Sequence, residues 1–95
     1  MREKIILEGC EFEGYKISTG NGAFLVIKGP AGFLGCGYVN IEAANKLGDC
    51  AAIVTGVKSF EDMFAAKVVK VSNKAAEMGI REGITGQEAL LGMIR

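Results

Sequence analysis

Phe33-Leu34-Gly35-Cys36-Gly37-Tyr38-Val39-Asn40-Ile41-Glu42-Ala43-Ala44-Asn45-Lys46-Leu47-Gly48 spans the point at which the chain changes its period. Up to Val39 the stretch reads as a strand, apolar and aromatic, interrupted by Gly35 and Gly37. Glycine weakens a strand and marks a bulge or the close approach of another backbone or a ligand. From Asn40 the apolar residues recur every three to four positions. Asn40 suits an N-cap, Ile41, Ala44 and Leu47 fall on one helical face, and Gly48 stands where a C-terminal cap belongs. Sheet is therefore predicted before Asn40, and alternating short helices and strands after it.

Toward the N-terminus, Lys4 to Glu8 and Glu11 to Ser18 read as two strands joined through Gly9-Cys10, a II′ turn. Phe12 alternates cleanly with Glu11 and Glu13, but Tyr15 and Ile17 resume on the opposite parity, which predicts a bulge at Gly14. The Asn21-Gly22 pair turns the chain into the unbroken apolar run Ala23 to Ile27, a central strand. Gly29-Pro30-Ala31-Gly32 turns it again. The first forty residues thus form an antiparallel meander of about four strands.

Toward the C-terminus, Cys50 to Val54 reads as a buried strand. Ser59, three residues before Asp62, caps a helix striped by Phe60, Met63 and Phe64. Val68, Val69 and Val71 give a last strand, and Ser72 caps a helix ending at Gly79. Thr85-Gly86-Gln87-Glu88 has the spacing of a capping box ahead of Leu90, Met93 and Ile94. The class is α+β in a single compact domain over residues 1–95, since 95 residues hold one core and not two.

Eleven basic residues balance eleven acidic ones, with the signs interspersed. A phosphate backbone needs a clustered basic surface, and Lys67, Lys70 and Lys74 read only as a solvated rim, so no nucleic-acid partner is expected. Three apolar residues after Met1-Arg2-Glu3-Lys4 make no signal segment, and no apolar run is long enough to span a bilayer. The expectation is a cytoplasmic protein with no membrane partner.

Histidine is absent, which excludes the Ser-His-Asp triad, the Cys-His dyad and the common histidine-rich zinc sites. Cys10, Cys36 and Cys50 are odd in number and widely spaced, which suits neither a disulfide framework nor a CxxC metal site. Free thiols, no metal and no cofactor are expected.

Cys36-Gly37-Tyr38-Val39-Asn40-Ile41-Glu42, Lys46-Leu47-Gly48-Asp49, Thr55-Gly56-Val57-Lys58-Ser59-Phe60-Glu61-Asp62, Met78-Gly79-Ile80 and Gly83-Ile84-Thr85-Gly86-Gln87-Glu88-Ala89-Leu90 carry a resemblance. Together they resemble the YunC-like family, domain of unknown function 1805. The likeness runs over nearly the whole chain and is densest from Cys36 onward. It implies a compact single domain and supplies no catalytic residue, so function is argued from the residues themselves.

Cys36 is the foremost candidate. A thiol between two glycines near a helix start is open to attack and feels the helix-end dipole, which favours a nucleophile or redox thiol. The alternative is a small buried side chain in a tight sheet, because free cysteine is among the most buried residue types. Lys58 or Lys67 is the cationic partner a thiolate would want. Gly35, Gly37 and Asn40 surround the thiol in sequence and are candidate ligand-binding positions. Thr55-Gly56, leading into Lys58-Ser59, and Thr85-Gly86 are strand-to-helix turns whose amides can receive an anion, although the first lacks P-loop spacing and Ser59, Thr85 and Glu88 are explained by capping. Glu11 and Glu13 project to one face, as paired acid and base groups would, and equally as solvated edge charges.

Two functions follow. One is a homo-oligomeric small-ligand binding or accessory protein, motivated by the missing histidine, balanced charge and an apolar fraction of 49% in so short a chain. The other is a cysteine-dependent enzyme or redox protein using Cys36. Beside these two stands a third idea, a small-molecule or anionic ligand such as phosphate bound at the helix starts after Thr55 and Thr85.

Overall fold

A computed structural model describes residues 1–94. Its elements run β1 (Arg2–Leu7), β2 (Cys10–Ser18), β3 (Ala23–Lys28), β4 (Phe33–Gly35), α1 (Ile41–Leu47), β5 (Ala51–Ile53), α2 (Phe60–Ala65), β6 (Lys70–Val71), α3 (Asn73–Glu77) and α4 (Gly86–Leu91). The strands form one sheet in the order of the chain, β1-β2-β3-β4-β5-β6. The first four pair antiparallel, as the meander requires. β5 then lies parallel to β4, with α1 as the crossover between them, and β6 returns antiparallel. The architecture is α+β with a mixed sheet.

The N-terminal hairpin departs from expectation in two ways. Leu7 pairs with Cys10, so the turn is Glu8-Gly9, and both residues have positive φ, 48° and 80°. That is the I′ rather than the II′ pattern, and it matches the twist of the flanking strands. Nor is there a bulge at Gly14: the register runs unbroken from Leu7↔Cys10 to Arg2↔Tyr15, and on the other side from Ser18↔Ala23 to Glu13↔Lys28. The inner face of β2 is Phe12, Gly14 and Lys16, and the apolar Tyr15 and Ile17 simply lie on the outer face. Gly14 has a packing reason. A Cβ there would stand 2.8 Å from Cζ of Phe60 and 2.9 Å from Cδ1 of Ile5, so the bare backbone makes room for the α2 aromatic ring.

The core lies between the inner face of the sheet and the helices α2 and α4. Ile5, Phe12, Leu25, Ile27 and Leu34 from the strands cluster with Phe60 and Met63 of α2 and with Leu90 and the following Met93. Burial of such side chains is worth about 1.5–3 kcal/mol each, which makes this cluster the main stabilising term.

α1 flanks the outer face. Its cap is as expected, with Asn40 Oδ1 accepting from Glu42 N at 2.9 Å and Gly48 left-handed at φ 75°. The shared face of Ile41, Ala44 and Leu47 is not buried throughout: Ala44 is, whereas Leu47 is 76% exposed. At Gly35, the last residue of β4, the side chain of Val39 fills the place a Cβ would take, and the ladder stops there. Cys36 therefore lies just beyond the strand, in the turn closed by Val39 N donating to Cys36 O at 3.0 Å. The predicted last strand is likewise shorter than its valines, because Val68 N turns away to Ile84 O at 2.8 Å.

Candidate functional site

A cavity of about 670 Å³ opens at the end of the inner sheet face, lined by Lys16, Ser18, Asn21, Gly22, Ala23, Cys36, Gly37, Tyr38, Gly56, Val57 and Lys58. Its construction follows from strand order. Lys16 and Ser18 come from β2, Asn21 and Gly22 from the β2–β3 loop, Ala23 from β3, Cys36 to Tyr38 from the turn after β4, and Gly56 to Lys58 from the loop after β5. The volume is that of a small-molecule site.

Cys36 lies at the floor and is 4% exposed. It is held at three points: its N–H donates to Leu25 O at 3.1 Å, its carbonyl accepts from Val39 N, and its Sγ accepts from Leu25 N at 3.3 Å. On one wall Tyr38 is 61% exposed, with its hydroxyl 3.3 Å from Thr19 Oγ1 and its ring 6.0 Å from that of Phe24. This links the turn after β4 to the β2–β3 loop. On the other wall, Asp62 Oδ2 accepts from Lys58 N at 2.9 Å while Asp62 N donates to Ser59 Oγ at 3.1 Å, which fixes the backbone that presents Lys58. The lining contains two lysines and no carboxylate. Neither lysine makes an ion pair with a described residue; the pairs present are Arg2–Glu13 and Lys4–Glu11 on the outer face.

Four of the residues singled out in the sequence, Cys36, Gly37, Gly56 and Lys58, meet in this cavity. The others are placed elsewhere. Thr55 stands beside Gly37, whose Cβ would lie 3.6 Å from Thr55 Cγ2, but is not among the lining residues. Gly35 is buried under Val39, and Asn40 lines a second, outer groove. Thr85 and Gly86 lie at the start of α4, where Glu88 Oε1 accepts from Thr85 N at 2.9 Å and Thr85 Oγ1 accepts from Glu88 N at 3.2 Å. That bonding holds the Glu88 carboxyl below its ordinary value of 4.5. A Cβ on Gly86 would run into the carbonyl of Met63, so this glycine is occupied by the contact between α2 and α4.

Sequence reasoning missed Lys16, Ser18, Asn21, Gly22, Ala23, Tyr38 and Val57. A signal for Lys16 existed: it continues the buried parity of Phe12 and Gly14. The inferred bulge at Gly14 reversed that parity and concealed it.

The outer groove, about 770 Å³, runs between α1 and the outer face of β2–β4 and is lined by Tyr15, Phe24, Val26, Phe33, Val39, Leu47 and neighbours. Tyr38 borders both cavities. Cys50 lies beneath the groove, its thiol pushed up by burial and drawn partly back by Lys74. Among the described residues no group of three or more His, Cys, Asp or Glu side chains is placed to hold a metal ion, and no helix is long and apolar enough to cross a membrane.

Residues 35–93 match the family described as "Domain of unknown function (DUF1805)". The chain belongs to this family. The DUF1805 match takes in the Cys36–Tyr38 and Gly56–Lys58 walls of the cavity, while Lys16 to Ala23 precede it. Over 95 residues the chain is 26% identical to "Uncharacterized protein YunC" of Bacillus subtilis (strain 168), covering 96% of this chain and 94% of that protein. Among solved structures, that of a protein of unknown function, TA1206 from Thermoplasma acidophilum, superposes with a TM-score of 0.93 at 38% identity, over 98% of this chain and 91% of that one.

Proposed function

We propose that the protein is a small-ligand binding protein that takes an anionic molecule in the cavity above Cys36. The observation that carries this reading is the lining itself: Lys16 and Lys58 without a carboxylate, beside the hydroxyls of Ser18 and Tyr38, the Asn21 amide and the glycine-rich turns at Gly22, Gly37 and Gly56. A concave, partly desolvated wall of one sign focuses potential and raises the local concentration of an anion. Inorganic phosphate, acetate and glutarate at millimolar concentration should raise the melting temperature of the wild-type protein, and the double variant Lys16→Met, Lys58→Met should lose the shift. No shift with any of the three would sink the proposal.

A second reading rests on Cys36 and Lys58 lining one cavity: the thiol is a nucleophile, with the lysine as its electrostatic partner. All three cysteines are taken as free thiols in this reading. Alkylation followed by mass spectrometry across pH separates it from packing. Cys36 should be alkylated faster than Cys10 and Cys50, the last of which has its thiol pushed up by burial. Protection of Cys36 at every pH at which Cys10 reacts would leave it a packing residue.

Self-association accompanies the binding reading. Ile6, Ile17, Tyr38 and Leu47 are large apolar side chains left exposed at 56%, 62%, 61% and 76%, and Ile6 and Ile17 share the outer sheet face. A second copy covering that face would remove them from water.

A further inference from the structure

The run Ala23-Phe24-Leu25-Val26-Ile27 of β3 is apolar at every position, the pattern of a strand covered on both faces. The chain itself covers one. Leu25 and Ile27 are fully buried in the core, whereas Phe24 and Val26 point to the outer face and are only half-buried. There α1 rises as a ridge over β5 at the side of β4, leaving β1, β2 and β3 as a bare wing. Register sorts the outer side chains of the wing into rows: Lys4, Glu13 and Lys28, then Arg2, Tyr15 and Val26, then Ile17 and Phe24. Ile6 and Glu11 lie beyond the first row. Arg2 and Lys4 of β1 pair with Glu13 and Glu11 of β2 at 3.6 and 3.5 Å, while Lys28 of β3 makes no ion pair among the described residues. The wing is thus apolar at one end, and at the other it sets the two glutamates of β2 beside an unmatched lysine on β3.

Resting on the self-association reading, we infer that two copies stack wing on wing about 10 Å apart, β2 of each over β3 of the other, about a two-fold axis parallel to the strands. Such an axis, midway between β2 and β3, keeps every row at its own level. Glu13 then meets the partner's Lys28 and Lys28 the partner's Glu13, so the unmatched lysine gains an anion. In the apolar rows Tyr15 meets the partner's Val26, and Ile17 the partner's Phe24. β1 falls over the partner's β4, in the groove beside its α1. Leu47 ends α1 and leads into β5, where Ala51 shares the row of Phe33 and Lys28. Ile6, beyond that row on β1, therefore comes up against the partner's Leu47, and both are large apolar side chains left exposed in the single chain. The other two-folds are worse. An axis across the strands sets α1 on the partner's α1 and holds the wings apart, and an axis along β2 sets Glu13 on the partner's Glu13.

Charge reversal on the full chain, read by sedimentation equilibrium, tests the arrangement. Glu13→Lys sets lysine against the partner's Lys28 twice, and Lys28→Glu sets glutamate against the partner's Glu13 twice, so each variant alone should dimerise at least about tenfold more weakly than wild type. An equimolar mixture of the two should recover the wild-type affinity, because every facing pair in the mixed dimer is again opposite in sign. Glu13 and Lys28 are also neighbours within one chain, but a defect inside the chain cannot be repaired by a second chain. Leu47→Asp, at a fully solvated position of the single chain, should weaken dimerisation to a similar degree, and far-UV circular dichroism checks that each variant keeps the fold. A wild type that dimerises equally well with either charge reversed or with Leu47→Asp, or single variants that the mixture does not rescue, would overturn this arrangement and leave self-association through another surface. A wild type that stays monomeric at every concentration would overturn both, and the wing would then face solvent or a different partner.

Discussion

Ser72 shows how much one small side chain can organise. It is fully buried, its Oγ accepts from Ala51 N at 2.9 Å and from Ala75 N at 3.2 Å, and it donates to Asp49 O at 2.7 Å. A single hydroxyl thus caps α3 and ties it to β5 and to the turn after α1. Reading Ser72 as a cap from its position before α3 finds one of these bonds and misses the other two, because Asp49 and Ala51 are distant in sequence. Ser72→Ala leaves buried backbone groups unpaired and should cost about 2–3 kcal/mol by urea denaturation, against about 1 kcal/mol for Ser59→Ala at the exposed cap of α2. Gly86 and Gly37 make a second comparison. Gly86→Ala forces α4 away from the Met63 carbonyl and should lower stability by about 3 kcal/mol, whereas Gly37→Ala meets nothing closer than 3.6 Å and should leave the melting temperature nearly unchanged.

At the scale of elements, the helices were legible because their caps are local. Asn40, Ser59, Ser72 and Thr85 each accept a backbone N–H two or three residues ahead, as their spacing demands. The α4 capping box also has a pH signature. Glu88 accepts from Thr85 N and Oγ1, so its carboxyl stays ionised to lower pH in the folded protein than in the unfolded chain. A depressed folded value gives stability that is present above the unfolded value and is lost as pH falls through the folded one. Wild type should therefore lose more of its urea midpoint between about pH 6 and about pH 3 than Glu88→Gln does. An identical acid loss in the two proteins would mean that the box has no such linkage. Strands were less legible. The extent of a strand depends on its neighbours: β4 stops at Gly35, after which Cys36 O accepts from Val39 N in a turn, and β6 begins only at Lys70, after Val68 N has gone to Ile84 O.

For the whole molecule, the outer face is the open matter. Its exposed apolar side chains predict self-association: sedimentation velocity should show a species larger than a monomer at micromolar concentration, and Ile17→Lys should shift it toward monomer. A monomer at every concentration would mean that the outer groove meets solvent or another partner. The candidate cavity is also a property of the whole. Its walls come from residues 16–23, 36–38 and 56–58, and nothing local connects them.

The sequence by itself determined the meander, the caps, the α+β class and the family resemblance, because each depends on residues within a few positions of one another or on a pattern read in order. It also singled out Cys36 and Lys58. Only the tertiary structure decided that β5 joins β4 in parallel, that Lys16 faces inward, and that Cys36 forms the floor of a cavity between two lysines. Those facts follow from strand register and order, which the long-range pairing of the sheet sets and no short stretch of the chain contains.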